Sequence, residues 1–229
     1  MIEICDISKD YGKEKALNSI SFSLKKGEIT AFLGPNGAGK TTLMNILAGV
    51  LQPSSGKILY DNEDISANPV KIKSKTGYLP EYNPLYEDMY VREYLEYAAA
   101  FYLPKKEIQG RVSEMIETTG LKDEYRKKIG ALSYGNKKRV GLAQALIHNP
   151  DILILDEPTN GLDPNQHQKI KALITEISPS KIVLFSSHRF DDVEGIASHY
   201  LILNKGNLVL NDRADNIASI ENSFYDLTK

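Results

Sequence analysis

The chain has 229 residues, with 28 Lys+Arg against 30 Asp+Glu and a single cysteine, Cys5. That length suits one large domain with a full core. The near-balance of charge gives no bulk electrostatic support for nucleic-acid binding, so no nucleic-acid partner is expected. One cysteine excludes an internal disulfide and allows a reducing compartment. The opening, Met1-Ile2-Glu3-Ile4-Cys5-Asp6, does not read as a secretory signal. No stretch approaches about 18 uninterrupted apolar residues, so work at a membrane would need another chain to supply the span. In chain order, residues 2–7, 17–24 and 29–33 alternate and are rich in β-branched side chains. With residues 57–60 they are expected to form a small sheet around the strand 29–33. Residues 42–48 are amphipathic and read as a helix. From about Tyr86 to Gly120 the pattern changes: residues 90–97 and 108–118 have helical spacing and a charged face, as in an inserted helical subdomain. Ser133 is a good N-cap for a helix through residues 140–146. The apolar runs 152–155, 182–185 and 200–203 then read as buried parallel strands separated by helices. The expected architecture is an α/β core with a helical insert, without internal repeats or low-complexity tracts.

The stretch Gly34-Pro35-Asn36-Gly37-Ala38-Gly39-Lys40-Thr41-Thr42 fits the phosphate-binding P-loop, or Walker A, pattern. It lies between an apolar strand and an amphipathic helix, the context that the chemistry requires. A triphosphate needs many converging N–H donors. The glycines remove the Cβ atoms that would block the approach and let the backbone curl into an anion nest. The helix N-terminus adds free N–H groups. Lys40 brings a full charge to the β- and γ-phosphates, and the Thr41 hydroxyl is placed to ligate Mg²⁺. A nucleoside triphosphate and Mg²⁺ are thus expected, held by residues 34–42. Asp156 and Glu157 follow the apolar run 152–155, the Walker B pattern, on a strand expected beside the P-loop strand. Asp156 would hold Mg²⁺, directly or through water. Glu157 would polarise the attacking water.

Leu132-Ser133-Tyr134-Gly135-Asn136-Lys137-Lys138-Arg139 resembles the LSGGQ-like signature of the ATP-binding cassette (ABC) family. Tyr134 and Asn136 depart from its commonest form. Four further matches sit in the family's order: Tyr11 as the aromatic that stacks on adenine, Gly77-Tyr78-Leu79-Pro80-Glu81 at the Q-loop, Asn160-Gly161-Leu162-Asp163 at the D-loop, and Ser186-Ser187-His188 with the switch histidine. The resemblance implies a P-loop NTPase (RecA-like) α/β core with a small antiparallel β subdomain and an inserted helical subdomain. It implies one ABC domain over residues 1–229, with a core lobe at about 1–82 and 150–229 and a helical signature subdomain at about 83–149. It further implies an ATPase that closes as a homodimer, or a heterodimer with a paralogue, with Ser133 and Gly135 facing the nucleotide of the other subunit. Glu157, His188 and Lys40 are then catalytic, and a separate polytopic permease is the partner. The chain would lie peripherally on the cytoplasmic face of the membrane. The span from Met1 to Lys229 leaves little room for an appended regulatory domain.

Glu81 stands where most members have glutamine. A carboxylate is a harder Mg²⁺ ligand than an amide and adds negative charge near the γ-phosphate. Glu81 and the runs 80–86, 89–94, 141–150 and 163–166 resemble the ATPase subunits of ABC-2-type exporters, of the gliding-motility-type subgroup. The competing expectation is a soluble ABC ATPase acting on a macromolecular partner. One cassette rather than two, and too few residues between Thr41 and Tyr134 for a long coiled coil, argue against it. A nucleotide-sensing scaffold without turnover is opposed by intact Lys40, Asp156, Glu157 and His188.

Overall fold

Two kinds of strand pattern sort into two sheets. The computed structural model describes residues 1–66 and 68–229. The first half runs β1 (Ile2–Tyr11), β2 (Glu14–Leu24), β3 (Ile29–Leu33), α1 (Lys40–Leu47), β4 (Ser55–Tyr60), β5 (Glu63–Asp64), α2 (Pro69–Lys75) and β6 (Thr76–Leu79). Three helices follow: α3 (Val91–Ala99), α4 (Lys105–Thr118) and α5 (Tyr134–Leu146). The chain then runs β7 (Ile152–Leu155), α6 (Pro164–Ile177), β8 (Ile182–Ser186), α7 (Phe190–Val193), β9 (His199–Asn204), β10 (Asn207–Arg213) and α8 (Ile220–Thr228).

The alternating strands form an antiparallel sheet in the order β2-β1-β4-β5, with Ile4 opposite both Phe22 and Ile58. The unbroken apolar runs of β3, β7, β8 and β9 lie in a second sheet, β10-β9-β3-β8-β7-β6, parallel except for the more polar β10 at its edge. This corrects the sequence reading in two places. β3 is not the centre of the small sheet. All five of its residues are buried, so both its faces need cover, and it lies between β8 and β9. The strand ending at Asp156 is not beside it either. β8, equally buried, separates the two.

The large sheet divides the molecule into two cores. Leu153, Leu155, Val183 and Phe185 pack with the apolar faces of α3, α4, α5 and α6. Their strand neighbours Ile152, Ile154, Ile182 and Leu184 pack on the opposite side with Leu43, Met44 and Ile46 of α1 and the buried face of the small sheet. The period-two alternation of a strand places successive side chains in different cores. Full burial of each such side chain contributes about 1.5–3 kcal/mol. Because β3, β6, β7 and β8 run parallel, Gly34, Pro80, Asp156 and Ser187 all follow strand ends at one edge of the sheet, where open α/β sheets collect ligands.

Candidate nucleotide site

The loop between β3 and α1 is shaped by close approach. A Cβ on Gly39 would lie 2.6 Å from the carbonyl oxygen of Ala16, and the residue is left-handed with φ 105°. Gly37 has open space around it, but its φ of 78° strains any other residue. Gly206, in the β9–β10 turn, donates to the Ala38 carbonyl at 3.0 Å and buttresses the loop from below. The Lys40 ammonium donates to the carbonyl oxygens of Gly34 (2.6 Å) and Pro35 (3.3 Å). Burial pulls its pKa down, and the carboxylates of Glu157, Asp156 and Glu81 oppose this.

A hydrogen-bonded chain crosses the sheet edge from this loop. The Thr41 hydroxyl donates to Asp156 Oδ2 at 3.0 Å. Ser186 Oγ, at the end of β8, donates to Asp156 Oδ1 at 2.6 Å and accepts the Glu157 N–H at 3.0 Å. Glu157 Oε2 lies 2.8 Å from Nδ1 of His188, which donates to it. Asp156 and Glu157 are both buried. Burial pushes the Glu157 carboxyl above its ordinary value, opposed first by His188 and then by Lys40. A carboxylate of raised basicity, oriented by an imidazole, is equipped to take a proton from water. Behind this chain, Asp192 accepts from Ser187 Oγ (2.5 Å) and Thr159 Oγ1 (2.7 Å). Burial raises its pKa, but the hydrogen bonds from Ser187, His167 and Thr159 outweigh it and hold the carboxyl below the usual range. This fixes the backbone on either side of His188 and the start of the D-loop.

A cavity of about 880 Å³ joins these groups. Asn36, Gly37, Ala38, Gly39, Lys40, Thr41 and Thr42 line it, as do Asp156, Glu157 and His188. Glu81 lines it too, rather than facing bulk solvent, and so does Tyr11, whose ring is half-exposed. Gly34 and Pro35 sit behind the wall as acceptors for Lys40. Ser133 and Gly135 are not brought into this cavity. Ser133 is exposed and caps α5, its Oγ accepting from the Asn136 N–H at 3.3 Å. Gly135 is packed on Gln166, and a Cβ there would lie 2.0 Å from the Gln166 Oε1.

The donor set suits a hard divalent cation. Thr41 Oγ1 and Asp156 Oδ2 converge at the cavity, with the Glu81 side of the wall nearby. Among the described residues no group of three or more His, Cys, Asp or Glu could hold a metal alone. One or two protein oxygens completed by phosphates and water are what Mg²⁺ ordinarily takes.

Sequence reasoning missed Lys138, Lys205 and Gly206. The last two line the cavity from a turn with no motif of its own. Lys138 lies in the Lys-Lys-Arg run that ends the signature-like stretch and was given no role of its own; it is buried, and its ammonium donates to the carbonyls of Glu81 (2.8 Å) and Glu157 (3.2 Å). Its helical spacing was the available signal: it lies four residues after Tyr134 and four before the buried Leu142.

Residues 17–160 match the family described as ABC transporter. The chain is 38% identical over 210 residues to the uncharacterized ABC transporter ATP-binding protein YxlF of Bacillus subtilis, covering 91% of this chain and 69% of that protein. It is 36% identical to the bacitracin transport ATP-binding protein BcrA of Bacillus licheniformis, covering 91% and 68%. It is 33% identical to the Nod factor export ATP-binding protein I of Burkholderia orbicola, covering 90% and 68%. Among solved structures, an ATP-binding subunit of an ABC transporter superposes with a TM-score of 0.90 at 27% identity, covering 100% of both chains. The dimeric bacterial ABC transporter cassette MJ0796 superposes with a TM-score of 0.85 at 26% identity, covering 93% of this chain and 98% of that one. The P-loop, the paired acids and the histidine at one sheet edge therefore belong to a member of the ABC transporter family, an ATP-binding and ATP-hydrolysing transporter subunit.

Proposed function

We propose that two copies of this chain, or one copy and a paralogue, close head-to-tail around two ATP molecules and drive a separate polytopic permease, on whose cytoplasmic face they sit. The observation that carries this reading is the chain of contacts joining Thr41, Asp156, Ser186, Glu157 and His188 at the mouth of the P-loop. Residues 34–42 cradle the phosphates, and Lys40 and His188 stabilise charge developing on the γ-phosphoryl. Tyr11 stacks on the adenine. Thr41 and Asp156, with Glu81 at the wall, hold Mg²⁺, which when bound neutralises charge on the β- and γ-phosphate oxygens. Glu157 takes the proton of the attacking water. Ser133 and Gly135 act on the nucleotide of the other subunit. The helical part, about 83–149, moves as a unit against the core, about 1–82 and 150–229. Glu157→Gln removes the base and leaves the cradle. It should lower steady-state turnover by about 100-fold or more, keep ATP affinity and accumulate an ATP-bound dimer on gel filtration. Undiminished turnover overturns the assignment.

A second cavity, of about 600 Å³, supports the permease partner. It lies against the Glu81 loop and is walled by the exposed rings of Tyr82, Tyr86, Tyr97 and Phe101. Among the described residues, the buried side-chain polar atoms without a partner are Thr76 Oγ1, Asn83 Nδ2 and both ring nitrogens of His148. All three residues line this groove. Apolar walls with unmet polar groups at the base suit a docked segment of another chain. Export is the favoured direction, on the likeness to proteins named for bacitracin transport and Nod factor export. Pull-down of the tagged chain from detergent-solubilised native membranes should recover a polytopic protein. Recovery of a soluble partner alone favours a non-transport ATPase.

A further inference from the structure

Lys138 is 2% exposed, and among the described residues it has no carboxylate at ion-pair distance. A buried ammonium is costly unless its protons are accepted. Here two are taken by main-chain carbonyls from separate segments, Glu81 at 2.8 Å and Glu157 at 3.2 Å. The ring centroid of Tyr134 lies 5.8 Å from the nitrogen. The carboxylates of Glu81, Asp156 and Glu157 act on it at longer range and oppose the burial that pulls its pKa down.

The Glu157 end of this bridge is unusual. Glu157 has φ 49°, a left-handed conformation that is strained for a non-glycine residue and persists only where its surroundings enforce it. Its peptide groups are held on two sides: the N–H by Ser186 Oγ and the carbonyl by the Lys138 ammonium. The conformation in turn sends the carboxylate to His188. The other end of the bridge is the main chain of Glu81, in the loop that borders both the nucleotide cavity and the aromatic groove. Lys138 itself rides on α5, the helix that Ser133 caps.

We propose that Lys138 is a positioning residue for hydrolysis: it clamps the main chain of Glu157 and ties it to the Glu81 loop, so that the carboxylate is aligned only while α5 and that loop hold their present places. This rests on the reading of Glu157 as the base. It gives the Glu81 loop a direct route to the reacting centre through one ammonium group, without movement of the P-loop.

The test uses the purified full chain and ATP. Lys138→Met keeps the length of the stem and removes the donors. It should lower kcat by about tenfold or more, the scale expected when a reacting group is misplaced, while KM and the Kd for ATP change less than about twofold. The same substitution is then made beside Glu157→Gln, and hydrolysis is followed in a single turnover. With the carboxylate already gone, Lys138→Met should cost less than about twofold more. An equal fall in both backgrounds, a parallel loss of ATP affinity, or wild-type kcat in the single variant each overturns the proposal. Lys138→Gln, neutral but still a donor, enters the same cycle should the methionine variant not fold, and it should retain more kcat than Lys138→Met where both fold. Full turnover in Glu157→Gln alone sinks the base reading instead, and is separable because it needs no change at Lys138.

Discussion

His148 follows α5 and stacks on Tyr102, with ring centroids 4.2 Å apart and planes inclined by 15°. Burial pulls its pKa from 6.5 down to about 4. The unfolded chain therefore binds a proton between those two values that the folded chain refuses. Stability gained from the neutral ring is present above pH 6.5 and is lost as pH falls toward about 4. His148→Phe keeps a ring on Tyr102 and removes this titration. Its melting temperature, compared with the wild type across the same window, should fall less steeply on acidification. A constant difference between the two proteins would mean that His148 titrates normally. Residues differ in how far the sequence discloses such roles. That Lys40, Thr41, Asp156 and Glu157 meet at one cavity was legible because each sits in a contiguous motif whose neighbours fix its surroundings. The His148 state was not, because it depends on burial against Tyr102, in the loop after α3. Lys138 was hidden for a related reason: its partners are main-chain carbonyls 57 and 19 positions away.

At the scale of elements, packing between β6 and α5 sets the position of the Glu81 loop. A Cβ on Gly77, in β6, would lie 2.1 Å from the carbonyl oxygen of Ala145 in α5. Neither backbone can yield without moving sheet or helix. Gly77→Ala should destabilise the fold by about 1–3 kcal/mol, lowering the melting temperature several degrees. Gly110→Ala in α4 is the opposite case. Nothing lies within 4 Å of its Cβ position, and helix propensity favours alanine by about 0.5–1 kcal/mol. A thermal melt of both variants checks the contrast; a stable Gly77→Ala would mean that β6 and α5 are less tightly joined than the geometry requires. Most elements were legible: α1, α3, α4 and α5 from helical spacing and the cap at Ser133, and β7, β8 and β9 from unbroken apolar runs. β6 was not, because Thr76-Gly77-Tyr78-Leu79 is short and interrupted by glycine. The misplacement of β3 has a clear source. Its neighbours in sequence alternate, and its own five residues do not reveal which strands pair with them until β8 and β9 arrive more than 150 positions later.

For the whole molecule, the two helix N-termini expected to hold phosphate point to different places. The N-terminus of α1 opens into the chain's own cavity beside Lys40 and Glu157. The N-terminus of α5, at Ser133 and Tyr134, is exposed outside it. Tyr134 does not block it, because the ring folds back over Gly161 of the D-loop, where a Cβ would meet it at 2.8 Å. In the head-to-tail pair proposed above, the exposed capped end of α5 would meet the open side of the other subunit's cavity. Ser133→Ala with Gly135→Asp removes a hydroxyl and places a negative charge where the other subunit's γ-phosphate would lie. Gln166 is the neighbour of the new side chain, and its free end can swing aside, so the monomer should remain folded. Combined with Glu157→Gln, the double change should leave ATP affinity within about twofold, since the chain's own P-loop is untouched. It should elute as a monomer with ATP and Mg²⁺, whereas Glu157→Gln alone elutes as a dimer. A combined variant that still dimerises would place the second half of the site elsewhere than at Ser133 and Gly135. Loss of ATP binding would show instead that α5 supports the chain's own cavity.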